Sequence, residues 1–197
     1  MKIAIIGTGN LGRSIAKGLI INNAITSLYL TRRSLDNLKE FDGYKNVHLT
    51  TDNSLAVQQS DILIFAVQPA HLQSILESVA PHLTEKHIVI STITGFSISK
   101  IENIVGAQHH IIRAMPNTAI AVGKSMTCLC SNNSGKARIS VAEAIFNRLG
   151  ATICIPEEQM QAATVVCASG IAFWMRLIRA TTQAAIQLGF DAEDAQR

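Results

Sequence analysis

The chain has 197 residues, of which 48% are hydrophobic and 16% are charged, and its formal net charge is +3 at pH 7. This length can bury a substantial core, and so large an apolar fraction excludes an intrinsically disordered chain. A charge of +3 without a basic stripe gives no support for nucleic-acid binding. No uninterrupted apolar run approaches the roughly 18 residues that a membrane span requires. We therefore expect a globular cytoplasmic protein with neither nucleic acid nor membrane as a partner.

The first twenty residues predict a strand, a glycine-rich turn and a helix. Lys2–Ile6 is a short β-branched apolar run, which is typical of a strand buried on both faces. The turn that follows has the GxGxxG spacing of dinucleotide-binding proteins and consists of Gly7, Thr8, Gly9, Asn10, Leu11 and Gly12. In that motif the first glycine allows the tight turn, the second lets a pyrophosphate approach the backbone, and the third lets the helix pack closely on the strand. The sequence therefore predicts a nucleotide site at this turn, although a glycine turn without a ligand is the alternative.

The end of the second predicted strand, Ser27–Thr31, indicates which dinucleotide is bound. A carboxylate at this position accepts a hydrogen bond from the ribose 2′-hydroxyl of NAD, whereas arginine accommodates the 2′-phosphate of NADP. The sequence here is Thr31, Arg32, Arg33 and Ser34, which offers two guanidinium groups and two hydroxyls. This composition favours NADP over NAD, with NADPH bound more tightly than NADH. The alternative is that Arg32 and Arg33 are only solvated loop charges.

Later apolar runs predict further strands that alternate with helices, as in an open α/β sheet. The runs cover residues 47–50, 61–67, 88–93, 125–130 and 152–155, and another strand precedes the proline turn at 116. Loops at the carboxyl ends of such strands face the ligand. We therefore expect two of these loops to lie near the cofactor, and their residues are Ala66, Val67, Gln68 and Pro69 in the first and Thr94 and Gly95 in the second.

Three groups of polar or reactive residues in this part of the chain have other interpretations. His109 and His110 have no carboxylate or cysteine at a useful spacing, so we expect them at a solvent-exposed strand entry rather than in catalysis. Arg113 interrupts a buried strand and therefore needs a partner or a bound anion. The four cysteines lack CxxC spacing, which predicts buried reduced thiols and no metal site; they are Cys128, Cys130, Cys154 and Cys167.

The sequence pattern changes after residue 156. From Met160 to Leu188 it has a helical pattern that is apolar nearly all round, with Phe173, Trp174 and Met175 in succession. Such a helix must be buried, and the remaining residues cannot cover it. We therefore expect two domains, one over 1–156 and one that begins at 157. Because the sequence stops just inside a new helix after Gly189, we also expect the natural product to be longer.

Together these motifs resemble the pyrroline-5-carboxylate reductase family. The most specific stretches are 66–69, 113–118 and 157–173, and the likeness extends over nearly the whole chain. The sequence departs from the family pattern at Gln68, Ala119 and the segment 167–173. The resemblance implies a Rossmann-type dinucleotide-binding domain followed by an all-helical dimerisation domain, and therefore a homodimer or larger homo-oligomer. It also adds Asn53 to the cofactor site and implies substrate contacts at Asn117, Ser169 and Gly170.

The implied reaction is the NAD(P)H-dependent reduction of 1-pyrroline-5-carboxylate to proline, the last step of proline biosynthesis. A hydride passes from the nicotinamide to the carbon of a cyclic C=N bond, so the protein mainly orients two ligands. No catalytic acid can be identified from the sequence. Two alternatives remain open: another Rossmann-type imine or β-hydroxyacid dehydrogenase, and a nucleotide-binding module without catalysis.

Overall fold

The computed structural model describes residues 1–22 and 25–197, and an eight-stranded sheet forms its centre. The strand order is β3-β2-β1-β4-β5-β6-β7-β8, and every neighbouring pair is parallel except β6 and β7. The strands are β1 Lys2–Ile6, β2 Ser27–Thr31, β3 Val47–Thr50, β4 Ile62–Phe65, β5 Ile88–Ser91, β6 His110–Met115, β7 Ser125–Ser131 and β8 Gly150–Cys154. The order reverses beside β1, so the carboxyl ends of β1 and β4 border a crevice.

Helices cover both faces of the sheet. They are α1 Asn10–Ile21, α2 Asn53–Gln58, α3 Pro69–Val79, α4 Ile98–Val105, α5 Ile139–Phe146, α6 Met160–Ala163 and α7 Gly170–Gln187, with short 3-10 turns between several of them. One core layer packs one face of β1 and its neighbours against α1 and α5, and includes Ile5, Ile15 and Phe146. The other packs the opposite side against α2, α3, α4 and α6. This arrangement confirms the predicted α/β class and Rossmann-type fold.

Local caps define the two ends of α4. Ser97 Oγ accepts a hydrogen bond from the backbone N–H of Lys100 at 3.3 Å, and Gly106 ends the helix with a φ of 98°. A left-handed conformation of this kind favours glycine, which explains why the helix stops there.

Residues 157–187 form one nearly continuous helical stretch with two different environments. Met160 and Ala163 are buried in the sheet core, whereas α7 contains no buried residue. Between α6 and α7 the helix widens into a π-helical segment over Thr164–Ser169. In the part of the chain that the structure describes, Glu157–Gln187 is the one helical stretch whose length and composition would suit a membrane span, with a mean hydropathy of 1.4 over its most apolar window.

Two expectations about polar and reactive side chains are wrong. His109, just before β6, is only 7% exposed, and burial lowers its pKa. The expectation of four buried thiols holds for Cys128 and Cys130 but not for the other two, because Cys154 is exposed on the edge strand β8 and Cys167 is only partly buried. Arg113 does have the partner that its burial requires: its Nη1 donates to Glu157 Oε1 at 2.8 Å.

Candidate active site

A cleft of about 610 Å³ opens at the carboxyl ends of β1, β2 and β4. Its floor is the glycine turn, one wall is the chain after β2, and the other is the chain after β4 together with the first turns of α3. Ten of the residues predicted to hold the cofactor line it: Gly7, Gly9, Thr31, Arg32, Arg33, Ser34, Asn53, Ala66, Val67 and Gln68. The sheet topology brings these four separate segments together, as parallel strands require.

Each glycine in the turn has a distinct steric environment. A Cβ on Gly7 would collide with Val67 Cγ1, and Gly7 has a φ of 89°. A Cβ on Gly12 would lie 2.9 Å from the Gly7 carbonyl oxygen, so this glycine permits the close packing of α1 on β1. A Cβ on Gly9 would meet no described protein atom within 4 Å. Packing within the protein therefore does not require a glycine at this position. The space beside the Gly9 Cα is open to a ligand.

The start of α1 offers unpaired backbone donors to an anion. Gly9 is the N-cap and no side chain of the described residues caps the helix. Arg13 N–H donates to the Gly9 carbonyl at 2.9 Å, which closes the first turn. The N–H groups of Asn10, Leu11 and Gly12 precede that bond and have no carbonyl within the helix to bond. Together with the positive end of the helix dipole, these donors suit a phosphate.

Hydrogen bonds join the cleft wall formed by the chain after β2 to the glycine turn. Thr31 Oγ1 accepts from Gly7 N–H at 3.2 Å, and Thr8 N–H donates to the Thr31 carbonyl at 2.8 Å. Arg32 Nη1 donates to the Thr8 carbonyl at 3.3 Å, which leaves most of its guanidinium N–H groups available. Arg33 and Ser34 are exposed beside it. No carboxylate is among the residues that line the described cleft.

The remaining predicted residues lie close to the cleft or further along the sheet edge. Thr8, within the turn, is fully buried, and Pro69 begins α3 after Gln68. Thr94 and Gly95 are exposed after β5, where Thr94 Oγ1 contacts Met115 Sδ at 3.8 Å. Sequence reasoning missed six lining residues, namely Ile6, Asn37, Thr51, His71, Ser74 and Ile75. The spacing of the last three on α3 is a signal that could have identified them.

The predicted substrate residues lie where the π-helical segment meets the loop after β6. Asn117 is buried, its Nδ2 donates to the Cys167 carbonyl at 3.0 Å, and its Oδ1 accepts from Ala119 N–H at 3.0 Å. Ser169 and Gly170 form the end of that segment and the start of α7. A Cβ on Gly170 would lie 2.6 Å from the Val165 carbonyl oxygen. No group of three metal-binding side chains occurs among the residues that the structure describes.

Comparison with known proteins agrees with this geometry. Residues 2–95 match the family model described as NADP oxidoreductase, coenzyme F420-dependent, and residues 157–197 match the one described as pyrroline-5-carboxylate reductase dimerisation. Pyrroline-5-carboxylate reductase 2 of Dictyostelium discoideum is 40% identical, with 99% of this chain and 71% of that protein aligned. The chain belongs to the pyrroline-5-carboxylate reductase family. The prediction from the sequence motifs is confirmed at this level, and the chain is that of a nucleotide-dependent oxidoreductase.

Other members of the pyrroline-5-carboxylate reductase family differ in how much of their length the chain covers. Pyrroline-5-carboxylate reductase 1 of Dictyostelium discoideum is 43% identical over 99% of this chain, which spans only 38% of that protein. The reductase structure from Coxiella burnetii is 34% identical with a TM-score of 0.90, and 99% of this chain aligns with 74% of that one. A Plasmodium falciparum reductase structure, described as having NADP bound, is 27% identical with a TM-score of 0.83; the match covers all of this chain and 73% of the other.

Proposed function

We propose that the protein reduces 1-pyrroline-5-carboxylate to proline with NAD(P)H, as the last step of proline biosynthesis in the cytoplasm. The observation that carries the proposal is the cleft at the carboxyl ends of β1, β2 and β4, whose glycine floor and arginine wall suit a phosphorylated dinucleotide. Family membership narrows the reaction, since the curated relatives are named as pyrroline-5-carboxylate reductases.

The bound nicotinamide would supply the hydride that reduces the C=N carbon of the cyclic imine. The tasks of the chain are then to bind the pyrophosphate at residues 7–12, to orient the dinucleotide along the strand ends, and to hold the imine beside it. We assign the nicotinamide half of the cofactor to the side of Pro69, Thr94 and Gly95, further along the sheet edge from Arg32.

For the substrate we propose contacts from Asn117, Ser169 and Gly170. The Asn117 amide fixes the Cys167 carbonyl and thereby positions the π-helical segment over Thr164–Ser169. Segments of this kind are rare and are frequently found at functional sites. Ser169 would donate its hydroxyl to the carboxylate of the imine, because its side chain lies at the exposed end of that segment.

We further propose that NADPH binds more tightly than NADH. Arg32 is held in place by the Thr8 carbonyl, and Arg33 and Ser34 are exposed beside it, so a 2′-phosphate would meet two guanidinium groups. The nearest carboxylate in sequence, Asp36, accepts from Ser34 at 3.2 Å and also pairs with Lys39, which partly neutralises its charge.

Calorimetric titration of both cofactors tests this assignment. Arg32→Ala should weaken NADPH binding by on the order of 1–3 kcal/mol, the value of a hydrogen bond to a charged group, and leave NADH binding nearly unchanged. Arg138→Ala removes an arginine before α5, outside the cleft, and serves as the matched control. Equal affinity of the unaltered chain for both cofactors would refute the NADPH preference, and absence of binding to either would refute the nucleotide site. Binding of both cofactors without reduction of the imine would instead favour a non-catalytic module.

For the domain organisation we propose a dinucleotide-binding domain over 1–156 and a helical region from 157 that pairs with a second copy. The support is the apolar surface of α7, where Phe173 is 76% exposed and Trp174 is 64% exposed. Exposed groups of large apolar side chains such as these mark interaction sites in soluble proteins. Light scattering should report a homodimer or larger assembly, and Phe173→Glu should shift it toward monomer, whereas an unaltered mass would contradict pairing through α7.

A further inference from the structure

Two of the four cysteines lie where the helical stretch packs on β7. Cys128 on β7 is 2% exposed and belongs to the core layer that packs against α2, α3, α4 and α6. Along the helical stretch, Met160, Ala163 and Cys167 are spaced at i, i+3 and i+7, so they lie on one face of it. The first two are buried in that same core layer, and the partly buried Cys167 packs against it.

Contacts around the two cysteines place their thiols next to each other. Asn117 joins both segments, because its Nδ2 donates to the Cys167 carbonyl at 3.0 Å and its backbone N–H donates to Ser125 Oγ on β7 at 3.2 Å. Met115, on the strand before Asn117, is the register partner of Cys128. Burial and, after it, the neighbouring Cys167 thiol raise the pKa of Cys128 to about 11.

The other two cysteines have different neighbours. Cys130 is the register partner of Arg113, and burial first and then the Glu157 carboxylate raise its pKa to about 11. The Sγ of Cys154 donates to the carboxylate of Glu143, on α5 at the opposite face of the sheet, at 3.4 Å. Cys130 therefore faces an ion pair and Cys154 a carboxylate rather than another thiol.

Adjacent thiols of which one is buried and the other partly accessible are suited to reversible oxidation. We propose that Cys128 and Cys167 are a redox pair, which a peroxide joins in a disulfide that fixes the Thr164–Ser169 segment to β7. In a reducing cytoplasm the pair stays as two thiols, since disulfides there are transient and serve catalysis or redox sensing.

Cys167 reacts first, because it is the more accessible of the two. Its sulfur bonds to one oxygen of hydrogen peroxide, the O–O bond breaks, and the other oxygen leaves as water with the thiol proton, so Cys167 becomes a sulfenic acid. The Cys128 sulfur then attacks the Cys167 sulfur and loses its proton, and the hydroxyl group leaves as a second water. One peroxide is reduced and two thiols are oxidised. A dithiol reverses the reaction by thiol–disulfide exchange.

The disulfide would act on the proposed substrate site. Ser169 ends the segment that contains Cys167, and Gly170 follows it at the start of α7. Asn117, the third proposed substrate residue, holds the Cys167 carbonyl. Fixing this segment to β7 would displace these groups from the imine and leave the cofactor cleft at β1, β2 and β4 unaltered. This consequence rests on the proposed function, whereas formation of the disulfide does not.

Peptide mass spectrometry tests the disulfide. After the full chain is treated with hydrogen peroxide and its free thiols are blocked, a cross-linked peptide should join Cys128 to Cys167 and disappear on reduction with dithiothreitol. Cys128→Ala should leave a sulfenic acid on Cys167 that dimedone traps, whereas the matched control Cys130→Ala should keep the cross-link. Absence of the cross-link from the oxidised unaltered chain, or a cross-link to another cysteine in its place, would overturn the proposal without any variant.

Steady-state kinetics test the effect on the substrate site. The cross-linked chain should have a kcat/KM for the imine lower by about tenfold, as a small misplacement of substrate-positioning groups produces, and dithiothreitol should restore it. Its affinity for NADPH should not change, and Cys167→Ala should be insensitive to peroxide. Unchanged kcat/KM of the cross-linked chain would overturn the regulatory role. Failure of the reduced chain to reduce the imine would instead refute the proposed function, and mass spectrometry would still decide whether the redox pair forms.

Discussion

Arg113 on β6 and Glu157 at the start of the helical stretch form a part-buried ion pair, with Nη1 and Oε1 2.8 Å apart. The same oxygen accepts from the backbone N–H of Ile98, the first residue of α4, at 2.7 Å. One carboxylate therefore joins a strand, a helix N-terminus and the beginning of the helical region. The Arg113 side chain is only 9% exposed, so water has little access to the guanidinium and would not replace Glu157 as its partner.

Loss of this carboxylate should destabilise the fold. Glu157→Ala leaves the buried guanidinium and the Ile98 N–H unpaired, and we expect the free energy of unfolding to fall by about 1–3 kcal/mol in urea titrations. Glu157→Gln retains an acceptor oxygen and should recover part of that loss. Glu158→Ala alters the exposed neighbour and provides the control. Equal stability of the two alanine variants would show that the ion pair contributes nothing measurable.

The glycines of the first turn should separate binding from stability. Gly12→Ala places a Cβ 2.9 Å from the Gly7 carbonyl oxygen, so we expect a loss of about 1–3 kcal/mol in the free energy of unfolding. Gly9→Ala meets no described atom within 4 Å and should change stability by less than about 0.5 kcal/mol. Its methyl group would instead obstruct the pyrophosphate and weaken NADPH binding. Normal NADPH affinity of Gly9→Ala would place the phosphates elsewhere.

His109 should make the fold sensitive to acid. Burial lowers its pKa in the folded state, so the unfolded chain binds the proton more readily. Its contribution to stability is therefore complete above the ordinary pKa of about 6.5 and is lost as the pH falls toward the lowered folded value. In urea titrations at pH 7.5 and pH 5, His109→Gln should lose less stability on acidification than the unaltered chain. His82→Gln changes a histidine outside the core and serves as the control. If both variants lost the same amount of stability between pH 7.5 and pH 5, His109 would be excluded as the cause.

The cysteines should differ in reactivity toward iodoacetamide. Burial raises the pKa of Cys128 and of Cys130 to about 11, so almost no thiolate is present at pH 8. Cys154 is exposed, and its pKa is raised by partial burial and by the Glu143 carboxylate, which accepts from its Sγ at 3.4 Å. Mass spectrometry should therefore find Cys154 modified before the two buried thiols, and Glu143→Gln should accelerate its modification. Early labelling of Cys128 would contradict the burial of β7.

Much of the fold could be predicted because local patterns and tertiary demands agree. The bounds of β1, β2 and β3 follow directly from short β-branched runs between turn residues, and the caps at Ser97 and Gly106 are local chemistry. The glycine turn indicated the dinucleotide fold because its backbone requirements are specific to three positions. Motif resemblance then supplied the family, which relatives over the full chain confirm.

Only the tertiary structure determined what pairs across long separations in sequence. The sequence required a partner for Arg113, but Glu157 is 44 residues away, and only the packing of the helical stretch on β6 brings them together. His109 looked exposed because a pair of polar residues at a strand entry carries no local sign of burial. His71, Ser74 and Ile75 likewise became cleft residues only when the packing of α3 fixed its rotation. Local sequence specifies backbone conformation and which face is apolar, whereas contact between distant segments depends on how those faces pack together.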